Sequence, residues 1–279
     1  MQVQNTLELP VAQKNWLDRV RYYLPTLLVA VAVLLLWEGL VRVLNIQQFL
    51  LPRPSAIFAE LMAELRLVGA GESLLFEAAG ATLWEAVGGF VLGSTAGLLV
   101  ALVTARWTIV NEALMPFAIA ANSVPIIAFA PIMNNWFGLT NPASKMAIVS
   151  IIVFFPVMIN TVRGLTMVEP TQLELMQSYA ARPFKILFGL RIPNALPYIF
   201  SALRVASSLS VIGAVVGEFF GGPRATLGVF ITQEAAGFNF ARAWAAIIMA
   251  ALIGISFYLL VLFAERRLMP WHNSMRETA

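Results

Sequence analysis

Cysteine is absent from this sequence, and histidine occurs once, as His272 near the carboxyl end. Without cysteine there is no disulfide, no thiol nucleophile and no thiolate metal site. A lone histidine in a polar tail reads as a solvated residue rather than a ligand or a base. Charge is also scarce. Only 12% of residues are Asp, Glu, Lys or Arg, where an ordinary soluble domain carries about 25%. The formal charge of +3 and the pI near 9.5 come from basic residues scattered at the ends of apolar runs. They form no cluster of the kind that binds nucleic acid. No Gly-Lys pair occurs anywhere, so the phosphate loop G-x-x-x-x-G-K-[ST] is missing. The glycine-rich GGPRATLG at 221–228 lacks that lysine and reads as a turn.

What the sequence has in abundance is apolar residues, 59% of the chain, with a mean hydropathy of +0.80. This is the composition of an integral membrane protein. A crossing helix needs about 20 mostly apolar residues. Six such spans are predicted, at about 22–41, 81–105, 112–131, 143–163, 195–217 and 242–264. Runs such as IVSIIVFFPVMI do not alternate with a period of two, which excludes barrel strands. The first run is long and has no small-residue cleavage site behind it, so it reads as an uncleaved anchor.

Lys and Arg in the flanks set orientation. With the amino terminus in the cytoplasm, inner segments hold eleven basic residues and outer segments six, Lys145, Arg224 and Arg242 among the outer ones. Both termini are therefore expected inside. The whole chain, 1–279, reads as one transmembrane domain with a cytoplasmic segment at 1–21 and a cytoplasmic tail at 266–279. In the outer segment 42–80, Pro52 and Pro54 precede a short amphipathic helix.

Between the fourth and fifth spans runs ELMQSYAARPFKILFGLRIPNALP, residues 174–197. Pro183 and Pro193 divide it, since proline is tolerated in a first helical turn and disfavoured in an interior. Two short helices meeting near Ala181–Arg182 are expected, the first with an apolar stripe of Leu173, Met176 and Ala180. Helices this short are marginal alone. The element either rests on headgroups or docks into another protein.

The spacing Glu174, Ala180, Leu190, Ile192-Pro193 resembles the EAA loop of ATP-binding-cassette importer permeases. LLPRPSAIF, PIIAFAPIMNNWFG, FFPVMINTVRGL and LPYIFSALRVA resemble the same family in the same order, over roughly residues 25–270. They are most similar to its sulfonate, nitrate, taurine and riboflavin/pyrimidine branch. Leu175 and Met176 replace the usual alanines. Ala180 replaces a glycine, which keeps a tight turn if its φ is negative.

The resemblance implies an all-α membrane fold of the type I importer permease. It implies coupling helices at 171–192, with Glu174, Ser178, Ala180, Ala181, Arg182 and Pro183 engaging an ATPase. It also implies two ATPase subunits carrying ATP and Mg, an extracytoplasmic binding protein, a second copy of the chain, and a place in a bacterial cytoplasmic (inner) membrane. This chain itself would bind no cofactor.

Candidates for a transport pathway come from polar groups within apolar runs, which are costly there. Asn122, Ser123, Phe129, Asn134, Asn135 and Trp136 lie where prolines and asparagines break the third span, and broken spans line cavities in transporters. Asn134 and Asn135 read equally well as residues shaping the outer loop. Arg204 and Ser208 belong to a polar strip with Ser201 and Ser207 on the fifth span. Arg204 reads equally as snorkelling toward the cytoplasm. Gly89, Gly93 and Gly97 favour close helix packing, within the subunit or across a dimer. Glu218 reads as a solvated helix-end carboxylate, and Glu38 and Glu85 show no apparent partner.

A membrane enzyme would call for a clustered acid–base set, and an ion-gradient carrier for an intramembrane acidic relay or repeated broken spans. Neither is visible, and the EAA-like stretch favours an ATP-driven importer. For substrate, amides and aromatics lean toward riboflavin or a thiamine-precursor pyrimidine. Sulfonate, taurine or nitrate is the alternative.

Overall fold

In hydrocarbon every backbone donor and acceptor has to be satisfied within the chain, so long apolar runs fold as helices. A computed structural model describes residues 16–223 and 225–270, and among these it contains helices and turns but no strand. Lys14, Arg224, His272 and Arg276, with most of the expected amino-terminal segment and tail, lie outside the described residues.

In chain order the helices are α1 (Trp16–Val43), α2 (Pro54–Val68), α3 (Leu74–Thr104), α4 (Thr108–Asn122), α5 (Ala130–Phe137), α6 (Pro142–Thr166), α7 (Pro170–Ser178), α8 (Pro183–Ile186), α9 (Ile192–Phe219), α10 (Leu227–Ala236) and α11 (Phe240–Leu268). Runs long and apolar enough to cross a membrane lie in α1, α3, α6, α9 and α11. A sixth crossing requires α4 to be joined to the 3-10 turn Ile126–Phe129 and α5, and these halves meet at 79°. The third span's end is therefore corrected from about 131 to Phe137, and the break expected in it is present. Pro125 supplies the cause: it lacks a donor and pushes the residue before it out of helical geometry. A second correction concerns the glycine-rich turn at 221–228, which leads into α10, a helix not expected from the sequence.

The centre of the bundle is α6, packed along both α3 and α9. Gly89, Gly93 and Gly97 make that approach possible. A Cβ added at Gly93 would lie 2.9 Å from the Ser150 Cα, and one at Gly97 2.8 Å from the Phe154 carbonyl oxygen. The four-residue spacing therefore serves packing within the subunit. Val149, Val153, Val157, Ala206, Ala214 and Ala246 fill the interior. The sides of α1 turn outward, with Leu27, Leu28 and Leu35 exposed, as a hydrocarbon solvent permits.

The chain's up-and-down course puts α7 and α8 at one end of the bundle, with the last turns of α3, α6 and α11. At the other end lie α2 and α10. Asn194 Nδ2 donates to the Gly164 and Met167 carbonyls at 2.9 and 3.1 Å, so the segment carrying α7 and α8 leaves and rejoins the bundle at one clasp.

Candidate functional site

The two short helices expected between the fourth and fifth spans are present as α7 and α8. Their junction is a tight turn in which the Ala180 N–H donates to the Gln177 carbonyl at 2.8 Å and the Ala181 N–H to that of Met176 at 3.0 Å. Ala180 has φ +51°. The condition of a negative φ is thus corrected: the turn adopts the left-handed geometry that glycine meets without strain, and Ala180 pays a steric cost there. Pro183 then opens α8 with φ already suited to a helix. Leu173 and Met176 are half-buried toward the bundle, while Ala180 is exposed.

The exposed surface of this knob mixes apolar and polar side chains. Leu175, Tyr179, Phe184 and, just after α8, Phe188 are exposed, Tyr179 by 77%, and the Phe184 and Phe188 rings lie tilted against each other with centroids 4.4 Å apart. Glu174 and Arg182 are exposed beside them, and the Ser178 hydroxyl donates to the Leu175 carbonyl at 2.8 Å. Neither α7 nor α8 contains a buried residue, and no other helix packs extensively on α7. A nine-residue helix with so little packing is marginal by itself.

The pathway candidates divide. At the break in the third span, Asn122 lines a cavity of about 280 Å³ with Ile126, Ile127, Pro156, Leu209 and Ile212. Ser123 is exposed and its hydroxyl donates to the Ile119 carbonyl at 3.3 Å. Phe129, Asn135 and Trp136 are exposed, Trp136 by 69%. Asn134, in contrast, is buried, and its Nδ2 donates to the Phe220 carbonyl at 3.2 Å. Arg204 has a partner within the chain: its Nε lies 3.2 Å from Glu265 Oε2 on α11. Ser207 is buried and donates to the Arg204 carbonyl at 2.7 Å. Ser208 lines a separate apolar groove between α9 and α11 with Val211 and Gly254. The strip of serines does not face one space.

Three charged residues form a cluster that sequence reading missed. Glu85 of α3, Lys145 of α6 and Glu218 of α9 are each at most 1% exposed. Glu85, Glu218 and Lys145 lie close to one another. The Glu218 carboxylate also accepts from the Gly228 N–H at 2.6 Å, and the Thr82 hydroxyl accepts from the Leu227 N–H at 2.9 Å. Lys145 Nζ donates to Asn134 Oδ1 at 3.0 Å and to the Leu139 carbonyl at 2.5 Å.

Glu218 is thereby corrected from a solvated helix-end carboxylate to a sealed one. Glu85 is corrected from a residue without partners, and Lys145 from a flanking charge. The reading that no clustered acidic pair exists is corrected with them. The signal was available: Glu85 stands well inside an apolar run, where a charge is costly unless another group meets it. With no exposure to water, the cluster locks helices together and offers no visible relay.

Outside the spans, Glu64 of α2 accepts from Ser73 Oγ at 2.7 Å and from Arg242 Nη2 at 2.8 Å, and Arg242 also pairs with Glu234 at 3.0 Å. Burial pushes the Glu64 carboxyl up, but the hydrogen bonds from Ser73, Arg242 and the Leu75 N–H outweigh it and hold the group below its ordinary value. Glu38, read from the sequence as unpartnered, pairs with Arg42 at 2.7 Å and accepts from the Ser55 N–H and hydroxyl at 3.0 and 2.9 Å.

Residues 74–270 match the family described as binding-protein-dependent transport system inner membrane component. A formylaminopyrimidine transport permease protein of Halalkalibacterium halodurans is 32% identical, over 86% of this chain and 93% of its own. A riboflavin transport system permease protein of Chloroflexus aurantiacus is 30% identical, over 98% and 100%. A taurine transport system permease protein of Escherichia coli is 26% identical, over 88% and 89%. The crystal structure of an amino acid ABC transporter with histidines shares the fold, with a TM-score of 0.56 over 73% of this chain and 97% of that one, at 19% identity.

Proposed function

The chain belongs to the family of binding-protein-dependent transport inner-membrane components, and from that premise we propose how it is driven and what it carries. It is a permease subunit of an ATP-binding-cassette importer, a multi-pass membrane protein that transports rather than catalyses. In our reading, α7 and α8 are the coupling helices, and they face the cytoplasm together with both termini. The observation that carries this is the unsupported knob itself. Leu175, Tyr179, Phe184 and Phe188 are large apolar side chains left exposed on and just after two helices with no buried residue, which an ATPase groove would cover.

Two copies of the chain work on two ATPase subunits, which hold ATP and Mg, and an extracytoplasmic binding protein delivers the solute. Closure of the ATPase pair moves the knob. The clasp of Asn194 on Gly164 and Met167 passes that movement to α6 and α9. The broken third span borders the pathway, with Asn122, Ser123, Phe129, Asn135 and Trp136 as the groups nearest the solute. Asn134 and Arg204 act by holding helices, since each already has a partner inside the chain.

The solute is riboflavin or a pyrimidine precursor of thiamine. Two relatives bear such names, and the cavity at the break is lined by an amide and apolar groups without a basic side chain, which suits a neutral ring. Sulfonate, taurine or nitrate is the second reading, favoured by the taurine relative, although an anion path would call for positive charge. Gentle detergent extraction from native membranes, with co-purifying proteins identified by mass spectrometry, tests the assembly. An ATPase in near-equal amount is expected. Its reproducible absence after crosslinking at residues 171–190 would refute the coupling assignment, and ligand screening of a recovered binding protein decides the solute.

A further inference from the structure

Behind the knob, between it and the last turn of α3, lies a cavity of about 630 Å³. Three guanidinium groups line it, those of Arg106, Arg182 and Arg191. Arg191 is half-buried, and its Nη1 donates to the Ala105 carbonyl at 3.2 Å, which holds the side chain against the end of α3. No carboxylate lines the cavity. Among the described residues no acidic side chain lies within ion-pair distance of any of the three arginines. Arg106 and Arg182 are exposed and Arg191 is half-buried, so the hollow is basic, open to the outside and without an acidic neighbour, which suits an anion.

Apart from Gln177, the rest of the wall is apolar and includes Leu102, Ile186 and Leu187. Leu102 belongs to the span itself and is exposed on its side. A soluble anion would satisfy the guanidiniums and leave that wall in water. An amphiphile with a negative head satisfies both, and basic pockets between helices at the cytoplasmic boundary take headgroups of this kind.

We propose that this cavity binds an anionic phospholipid, its phosphate held by Arg106 and Arg191 and its acyl chain lying along Leu102 toward the hydrocarbon. The proposal rests on the reading that α7 and α8 sit at the cytoplasmic face of the membrane. The lipid ties the coupling segment to the end of α3, so that transmission from the knob depends on the charge of the surrounding bilayer.

The test uses the full permease with its ATPase, delipidated in detergent and titrated with phosphatidylglycerol, phosphatidylcholine or inorganic phosphate under native mass spectrometry. Phosphatidylglycerol is expected to stay bound where phosphatidylcholine does not. The double variant Arg106→Gln/Arg191→Gln should weaken it roughly thirty-fold, about five-fold for each arginine near a membrane surface. Arg106→Gln alone serves if the double variant does not fold, since Arg106 is exposed and, among the described residues, its side chain holds no neighbour by an ion pair. Arg163→Gln/Arg266→Gln, at the same end but outside the cavity, should leave binding unchanged.

Equal retention of the two lipids would overturn the proposal, as would an equal loss in the Arg163/Arg266 pair. Displacement of the lipid by low inorganic phosphate, or exclusion of lipid once the ATPase is attached, would overturn it too. An ATPase that never co-purifies counts against the functional reading instead, and the same titration of the permease alone then decides the lipid site.

Discussion

Lys145 and Glu174 are both charged residues near the ends of an otherwise apolar bundle, and the chain treats them in opposite ways. Lys145 is wholly buried, held by Asn134 and the Leu139 carbonyl, with Glu85 and Glu218 beside it. Glu174 is exposed on a helix that scarcely touches the rest of the molecule. One end of the bundle thus meets its polar groups with its own, and locks α3, α5, α6 and α9 together. The other end leaves apolar rings and charges facing outward. The difference separates a charge sealed among helices of the same chain from one that, in the function proposed above, is kept for another protein.

The comparison can be broken most forcefully at the sealed end. Lys145→Met leaves two buried carboxylates without their cation and should cost about 3–5 kcal/mol, read as a large fall in the thermal unfolding temperature in detergent. A variant as stable as the parent would mean that the cluster does not lock the helices. Next in size is a pair of neighbours. Asn134→Leu removes an acceptor from Lys145 and a donor from the Phe220 carbonyl, at about 1–3 kcal/mol. Asn135→Leu, on the exposed side of the same turn, should stay within about 0.5 kcal/mol and change uptake kinetics instead. Equal effects on stability would erase the distinction between the two asparagines.

The smallest effect concerns acid. The Glu64 carboxyl is held below its ordinary value, so the unfolded chain binds its proton more readily than the folded one. Its contribution is therefore present above the usual carboxylate range and is lost as pH falls through the folded value. Hydrogen-exchange protection in α2, corrected for the intrinsic pH dependence of amide exchange, should fall on acidification below that range, while protection in the sparsely packed α7 should hardly change. Unaltered α2 protection would show that Ser73 and Arg242 do not hold the carboxylate as the geometry implies.

What could be read from the sequence was local. Apolar runs gave the spans, and Pro183 and Pro193 placed the knob, because proline acts on its own turn. Gly89, Gly93 and Gly97 announced a close approach but not to which helix, since the partner surface at Ser150 and Phe154 lies on a distant segment. Glu85, Lys145 and Glu218 failed for the same reason. Each looks like an isolated charge until three helices bring them together. The break in the third span was visible in its prolines, but its bend was not. At Ala180 the sequence pattern marked a turn, while its hand had to come from the backbone. The pathway residues were the least legible. An amide that holds a neighbouring carbonyl and an amide that meets a solute look alike in one dimension.

The central claim is that the exposed end is reserved for an ATPase, and Glu174→Lys tests it most directly. The variant should fold and unfold like the parent, within about 0.5 kcal/mol for an exposed site. It should remain in the membrane, lose its co-purifying ATPase and stop solute uptake in a reconstituted vesicle assay. Normal uptake with the ATPase retained would contradict the account.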